Sequence, residues 1–244
     1  MERWERIRRL GPRGGVYVTP QDSFGVDALA LAAFGAPRGD KKVAELGTGC
    51  GVISLLFSGN PRWRQHAPDI TAVEIQPAAA ALAARSVARN GLQDKIRVIT
   101  ADWRKLEGVL EAGSFDRVVC NPPYFPAGSG GVSEDEARRI ARHESGPEAL
   151  GDLCAAAARL LRNGGSFCLC HRPERLADLL IALRSAGLEP KRLQLVQQEG
   201  GSVPFLVLID ARKGAKPGLK TEPTLLLREG DEPSPAARRM YGTW

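Results

Sequence analysis

No C-x-x-C pair occurs among the five cysteines of this chain, and their number is odd. That pattern argues against a disulfide framework and against a zinc site, and no metal is expected. No stretch approaches the roughly 20 consecutive apolar residues of a membrane-spanning helix. The opening run, Met1-Glu2-Arg3-Trp4-Glu5-Arg6, lacks the apolar centre of a secretory signal. A cytoplasmic protein without a membrane partner is the expectation. Internal repeats are absent, and so is the G-x-G-x-x-G spacing of dinucleotide-binding turns.

The 244 residues are 43% hydrophobic and 25% charged, which suits a globular chain able to bury a large core. Strand-like and helix-like stretches alternate. Apolar runs at about 42–46, 70–73, 96–100, 115–120, 166–170, 192–196 and 205–210 read as strands. Helices are expected from about Val26 to Phe34, from near Val52, over Pro77–Asn90 with Gly91 beyond, over about 148–161, and over 173–186 closed by Gly187. Asn163-Gly164-Gly165 reads as a turn, and residues 60–68 as a polar surface loop. This order predicts a doubly wound, mostly parallel α/β sheet whose last two strands form an antiparallel edge. A single domain is expected, with a basic extension and lead-in helix over 1–40, a catalytic core over 41–210 and a basic tail over 211–244.

The most informative stretch is Asn121-Pro122-Pro123-Tyr124, which follows the apolar run Phe115–Cys120. Neither proline can donate a ladder hydrogen bond, so the strand must stop there. An amide, two rigid rings and an aromatic are thereby set at the carboxyl end of a strand, the edge at which open α/β sheets bind ligands. The Asn121 oxygen and the Pro122 carbonyl can accept both N–H bonds of an exocyclic amine or a carboxamide, while Tyr124 stacks on a flat substrate. A delocalised nitrogen lone pair would thus be localised and aimed at an electrophile.

Upstream, Val43-Ala44-Glu45-Leu46-Gly47-Thr48-Gly49-Cys50-Gly51 reads as a strand followed by a glycine turn, G-x-G-x-G with a leading acid. Glycines permit tight turning and close approach of backbone to a ligand. Glu74 ends the next strand roughly 20 residues past the glycines, where a carboxylate can hold ribose hydroxyls. Asp102 follows a third strand. Acids at three successive strand ends beside a glycine loop describe a nucleoside cradle without a phosphate clamp. Taken singly, the glycine loop reads equally as an ordinary strand–helix turn, and an acid such as Glu74 or Asp102 is more often a solvated strand-end charge. In series they resemble the class I S-adenosylmethionine-dependent methyltransferases.

Four stretches sharpen the resemblance: Ser23-Phe24-Gly25-Val26-Asp27-Ala28-Leu29, Cys120–Phe125, Ile140-Ala141-Arg142-His143-Glu144, and His171–Leu176 with Glu189–Arg192. Together they are similar to the family of tRNA1(Val) (adenine-37)-N6-methyltransferases, above all its Gram-positive branch. The resemblance implies S-adenosyl-L-methionine as cofactor. It implies that Glu45, Gly47, Gly49 and Gly51 surround the methionine part, and that Glu74 holds the ribose. Asp102 would bind the adenine amino group with Trp103 packed beside it, and Asp27 would help close the pocket. It further implies that Asn121, Pro122 and Tyr124 are catalytic, and that Pro123, Phe125, Arg142 and His143 contact substrate. The implied partner is tRNA at its anticodon loop. His171 stays outside the catalytic set, because an amine attacking a sulfonium sheds its proton only after methyl transfer. Cys50 reads as a small loop residue, and Cys168 and Cys170 as core packing.

The net charge is +6 and the pI about 9.3, and the excess lies at the ends. Arg3, Arg6, Arg8, Arg9 and Arg13 open the chain; Arg212, Lys213, Lys216, Lys220, Arg228, Arg238 and Arg239 close it. Such ends suit phosphate contacts, or equally a pair of solvated, partly frayed termini. Glutamine-N5 methylation of a release factor, adenine-N6 methylation of ribosomal RNA or DNA, and a non-catalytic RNA-binding subunit are the alternatives to tRNA methylation. The release-factor enzymes usually carry a Pro-Arg-Pro-Glu-Thr-Glu-like stretch and an N-terminal helical domain, and neither is found here.

Overall fold

The computed structural model describes residues 5–10, 14–59, 67–122 and 147–241. A short antiparallel hairpin, β1 (Arg6–Arg9) with β2 (Gly15–Val18), comes first, and α1 (Val26–Phe34) follows it. The chain then alternates through β3 (Lys42–Leu46), α2 (Val52–Gly59), β4 (Asp69–Glu74), α3 (Pro77–Arg89), β5 (Ile96–Thr100) and β6 (Phe115–Cys120). It continues through α4 (Pro147–Leu160), β7 (Leu161–His171), α5 (Leu176–Ser185), β8 (Leu188–Gln197) and β9 (Leu206–Lys213). The described end of the chain adds β10 (Lys220–Thr221), β11 (Leu225–Leu226), a small hairpin of β12 (Arg228–Glu229) and β13 (Glu232–Pro233), and α6 (Pro235–Tyr241).

One nine-stranded sheet organises these elements, in the order β10-β8-β9-β7-β6-β3-β4-β5, with β11 also on β8. Strands β3 to β7 run parallel, and β9 lies antiparallel between β7 and β8. The central strands β3, β4, β6, β7 and β9 are buried on both faces along most of their length, as strands under helices must be. Val43, Val119, Cys168 and Cys170 join the core beneath α1 and α2, while the intervening Ala44, Val118, Cys120, Phe167 and Leu169 join the core beneath α4 and α5. The fold is the expected doubly wound α/β sheet, with every expected strand and helix of the core present.

Three departures have local causes. The expected turn at 163–165 lies inside β7, as an excursion between Leu161, paired to Phe115, and Ser166, paired to Arg117; Gly164 supplies its positive φ of 77°. The described part of the N-terminal basic stretch is a hairpin built onto the fold. It is docked on α3, where the Asn90 side chain takes the N–H of Gly15 at 3.1 Å and donates to its carbonyl at 2.7 Å. Ser86 Oγ accepts the N–H of Tyr17 at 3.0 Å. Likewise the basic C-terminal stretch is built onto the sheet: β10 and β11 pair with β8, and α6 packs on α1 through the buried Ala237 and Met240. Residues 60–66 of the expected loop lie outside the described residues.

A buried ion-pair series ties the antiparallel end of the sheet together. Arg117 Nε bonds Asp40 Oδ2 at 3.0 Å and its guanidinium reaches Asp210 at 3.7 Å. Arg192 lies 3.8 Å from the same carboxylate, stacks on Phe34 and meets Glu222 at 2.9 Å.

Candidate active site

Register places the chemistry. Leu46 is paired with Val73 on one side and with Cys120 on the other, so the residues next after these three emerge side by side at one sheet edge. Those residues are Gly47, Glu74 and Asn121. Thr100 pairs with Glu74, and Ala101 donates to the Glu74 carbonyl at 2.9 Å, which brings Asp102 to the same edge.

The loop from Gly47 to Gly51 turns through three glycines with φ of 71°, 54° and 84°. A Cβ at Gly47 or Gly49 would meet no atom within 4 Å, whereas one at Gly51 would stand 3.2 Å from Ala83 Cβ on α3. The first two glycines therefore leave space open at the edge, and the third lets α3 approach. Gly47 and Thr48 both donate to the Val73 carbonyl, at 2.9 and 3.0 Å. Gly49 donates to Glu74 Oε2 at 2.9 Å, and Gln76 donates to Glu74 Oε1 at 3.0 Å. Glu74 is thus held by two backbone amides.

The electrostatics of this edge are acidic. Burial pushes the Glu45 carboxyl up to about 7, against the hydrogen bonds it accepts from the Ser54 N–H and hydroxyl, with the neighbouring charge of Glu74 adding to the rise. Burial also raises Glu74, and the nearby Asp22 raises it further. Asp22, which the sequence reading did not single out, is itself raised by burial. Asp102 is the exception. Burial would raise it, but the Arg104 side chain and backbone amide bond it and hold it below the usual carboxylate range. Trp103 is buried next to it, with the Arg104 guanidinium over its ring.

A ligand carrying a sulfonium and an ammonium fits this arrangement. Its charge would relieve the crowded acids Glu45, Glu74 and Asp22, and the open space at Gly47 and Gly49 admits a chain lying against backbone. Glu74, with both oxygens already oriented by amides, and Asp102, oriented by Arg104, would face the nucleoside end.

Asn121 is gripped at both ends. Its Nδ2 donates to Asp27 Oδ2 of α1 at 3.0 Å, and its Oδ1 accepts from Cys170 Sγ of β7 at 3.0 Å. Pro122 is buried beside it. Asp27 was expected at the cofactor pocket; its described partner is the Asn121 amide. Cys170 was expected to be core packing, and it is fully buried, but it also touches the site. Pro123, Tyr124, Phe125, Arg142 and His143 lie outside the described residues.

Two further groups are accounted for. Burial pushes the Cys50 thiol up to about 12, so no thiolate nucleophile forms there. Burial lowers His171 to about 4, and its Nδ1 accepts the Arg172 N–H at 2.8 Å, which leaves a neutral structural imidazole. Among the described residues no group of three or more His, Cys, Asp or Glu side chains could hold a metal ion, and no helix is long and apolar enough to cross a membrane.

Residues 14–180 match the family described as the methyltransferase small domain. The chain is 33% identical over 207 residues to the tRNA1(Val) (adenine(37)-N6)-methyltransferase of Tolumonas auensis, covering 85% of this chain and 82% of that one. It is 31% identical over 199 residues to the enzyme of that name from Shewanella amazonensis, covering 79% and 82%. Among solved structures, a predicted O-methyltransferase from Agrobacterium tumefaciens superposes with a TM-score of 0.70 at 21% identity, over 89% of this chain and 96% of that one. A geranyl diphosphate C-methyltransferase from Streptomyces coelicolor, solved with S-adenosyl-L-homocysteine, superposes with a TM-score of 0.53 at 15% identity, over 75% and 77%. Both structures share the fold.

Proposed function

The chain belongs to the methyltransferase small-domain family and, within it, to the tRNA1(Val) (adenine(37)-N6)-methyltransferases, and we propose that it methylates the exocyclic N6 of an adenine in tRNA, at position 37 of tRNA1(Val). The observation that carries this reading is the single sheet edge at which the Gly47–Gly51 loop, Glu74 and the Asn121-Pro122 pair stand together. Bound S-adenosyl-L-methionine supplies a methyl group on a positively charged sulfur.

The residues of this chain do the rest by position. Glu45 and the glycine loop flank the methionine end, Glu74 takes the ribose hydroxyls, and Asp102 with Trp103 takes the adenine. Asn121 Oδ1 and the Pro122 carbonyl accept the two N–H bonds of the target amine. That grip draws the lone pair out of the ring and turns it toward the methyl carbon. With the amine held there, the methyl group would pass from sulfur to nitrogen, the thioether would be the leaving group, and the nitrogen would release its proton to water. No strong base is needed before attack, in keeping with a neutral His171. Holding nitrogen, carbon and sulfur in line accounts for most of the acceleration.

An adenine beside the anticodon already lies in a loop, so turning it into a pocket avoids the cost of opening a duplex pair. The exposed Arg6 and Arg9 of the β1–β2 hairpin would touch phosphates, which position the RNA without reading its sequence. The test is transfer of label from S-adenosylmethionine to bulk tRNA, ribosomal RNA, DNA and release factor in parallel, with Asn121→Ala as control. Label recovered as N6-methyladenosine in tRNA, and lost in the variant, is expected. Label in release factor alone would mean that the Asn121 grip holds a glutamine amide.

A further inference from the structure

We propose that Asp27 and Cys170 are positioning residues that fix which way round the Asn121 carboxamide stands, an inference that rests on the amine-methylating reading above. A carboxamide has two nearly isosteric ends, and only one of them can serve a substrate amine. An oxygen accepts the N–H of the target; an NH2 group would meet it donor to donor. The amide of Asn121 must therefore be held against a half-turn flip.

Two elements packed around it provide that hold. Asp27 comes from the first turn of α1 and a carboxylate only accepts, so it bonds only the NH2 end, here at 3.0 Å. Cys170 comes from β7, one residue beyond the register pair Cys120–Leu169, and its thiol donates to Oδ1 at 3.0 Å. A flipped amide would set oxygen against carboxylate and lose the acceptor for the thiol. Oδ1 has two lone pairs, so the bond from the thiol does not by itself bar a substrate N–H.

Space for this arrangement is written into the sequence. A Cβ at Gly25 would lie 2.6 Å from Asp27 Oδ1. The backbone there has φ of −106° and is open to any residue. A side chain at position 25 would therefore displace the Asp27 carboxylate from this position, without any strain in its own backbone. Ser23-Phe24-Gly25-Val26-Asp27 thereby serves the amide of a strand end far away in sequence.

Steady-state methylation of tRNA, read together with the dissociation constant of the cofactor by calorimetry, tests the clamp. Asp27→Asn is expected to lower kcat by about tenfold or more while cofactor affinity stays within about twofold, because the ambiguous amide at 27 accepts either orientation of Asn121. Cys170→Ser keeps a donor and is expected to retain most of kcat, whereas Cys170→Ala loses it by roughly fivefold or more. The double variant Asp27→Asn/Asn121→Ala should be no slower than Asn121→Ala alone, since Asp27 acts through that amide. A loss of cofactor affinity in proportion to the loss of rate would make Asp27 a cofactor residue and overturn the clamp. Additive losses in the double variant would overturn it as well. A wild-type protein that transfers label to none of the four substrates refutes the function on which the clamp rests, an outcome separate from active protein with unaffected variants.

Discussion

Gly49 donates its backbone N–H to Glu74 Oε2 at 2.9 Å, so the acid at the end of β4 braces the glycine loop that ends β3. The second oxygen of the same carboxylate takes the N–H of Gln76 at the start of α3. Glu74 therefore sets the shape of the loop before any ribose arrives. Glu74→Ala should strand both amides, at about 1–3 kcal/mol each where water cannot reach them. We expect a melting temperature lower by several degrees, and a cofactor affinity lower by about tenfold or more, since two functions are lost together. Calorimetry and thermal unfolding check this; unchanged cofactor affinity would contradict it.

Titration of Glu45 makes a second prediction. Its carboxyl is raised to about 7 by burial, with Glu74 adding to the shift. The folded protein therefore holds a proton that the unfolded chain releases near 4.5. On this account its contribution to stability falls as pH rises from the lower value to the higher one. A cationic ligand favours the ionised form, so the sign for binding is opposite. Cofactor affinity should strengthen as pH rises toward about 7 and level off above, losing roughly tenfold for each unit below it. Glu45→Gln should bind with little pH dependence over the same window. Calorimetric titrations of both proteins between about pH 5.5 and 7.5 decide it; parallel curves would remove Glu45 from the explanation.

How much of this could be read from the sequence depends on how local each signal is. The unit β3–glycine loop–α2 was plain, because an apolar run, three glycines and a second apolar run lie within a few residues of one another. Asn121 was equally plain, since two prolines mark the strand end. The β1–β2 hairpin was missed for a physical reason: Arg6–Arg9 is exposed throughout, so it shows no alternation, and its partners on α3, Ser86 and Asn90, lie about 70 residues away in sequence. The C-terminal strands β10 and β11 were missed because two residues are too few for a period. Cys170 could not be told from Cys168, as the two lie on the same buried face of β7. Only the register with β6 distinguishes the thiol that meets Asn121 from the one that meets Gly35.

The hairpin gives a third prediction. Arg8, exposed like its neighbours, lies across Phe24: it bonds the Phe24 carbonyl at 2.5 Å and stacks 3.9 Å from that ring. Arg6 and Arg9 are exposed. If the latter two contact phosphate, Arg6→Ala/Arg9→Ala should weaken tRNA binding and flatten the dependence of log Kd on log salt by about 1–2. Methylation by the double variant should show a raised KM for tRNA with kcat preserved. Arg8→Ala should instead lower stability, because its stem and guanidinium cover Phe24. A salt dependence unchanged in the double variant would move the RNA surface elsewhere.

The glycines of the loop separate folding from binding. At Gly51, φ is 84° and an added Cβ would press on Ala83 at 3.2 Å, so Gly51→Ala carries both backbone strain and a clash with α3. The two together should cost about 2–4 kcal/mol. At Gly49, φ is 54° and the added methyl would meet nothing, so Gly49→Ala carries only the backbone term, about 1–2 kcal/mol. Its methyl, however, would occupy the space in which we expect the cofactor to lie against the loop. Thermal unfolding should therefore rank Gly51→Ala as the less stable variant, while at a temperature where both are folded calorimetry should rank Gly49→Ala as the weaker binder. Were Gly49→Ala to bind the cofactor as tightly as the wild type, the open space beside it would not be the ligand's, and the cradle would have to be sought on the other side of Glu74.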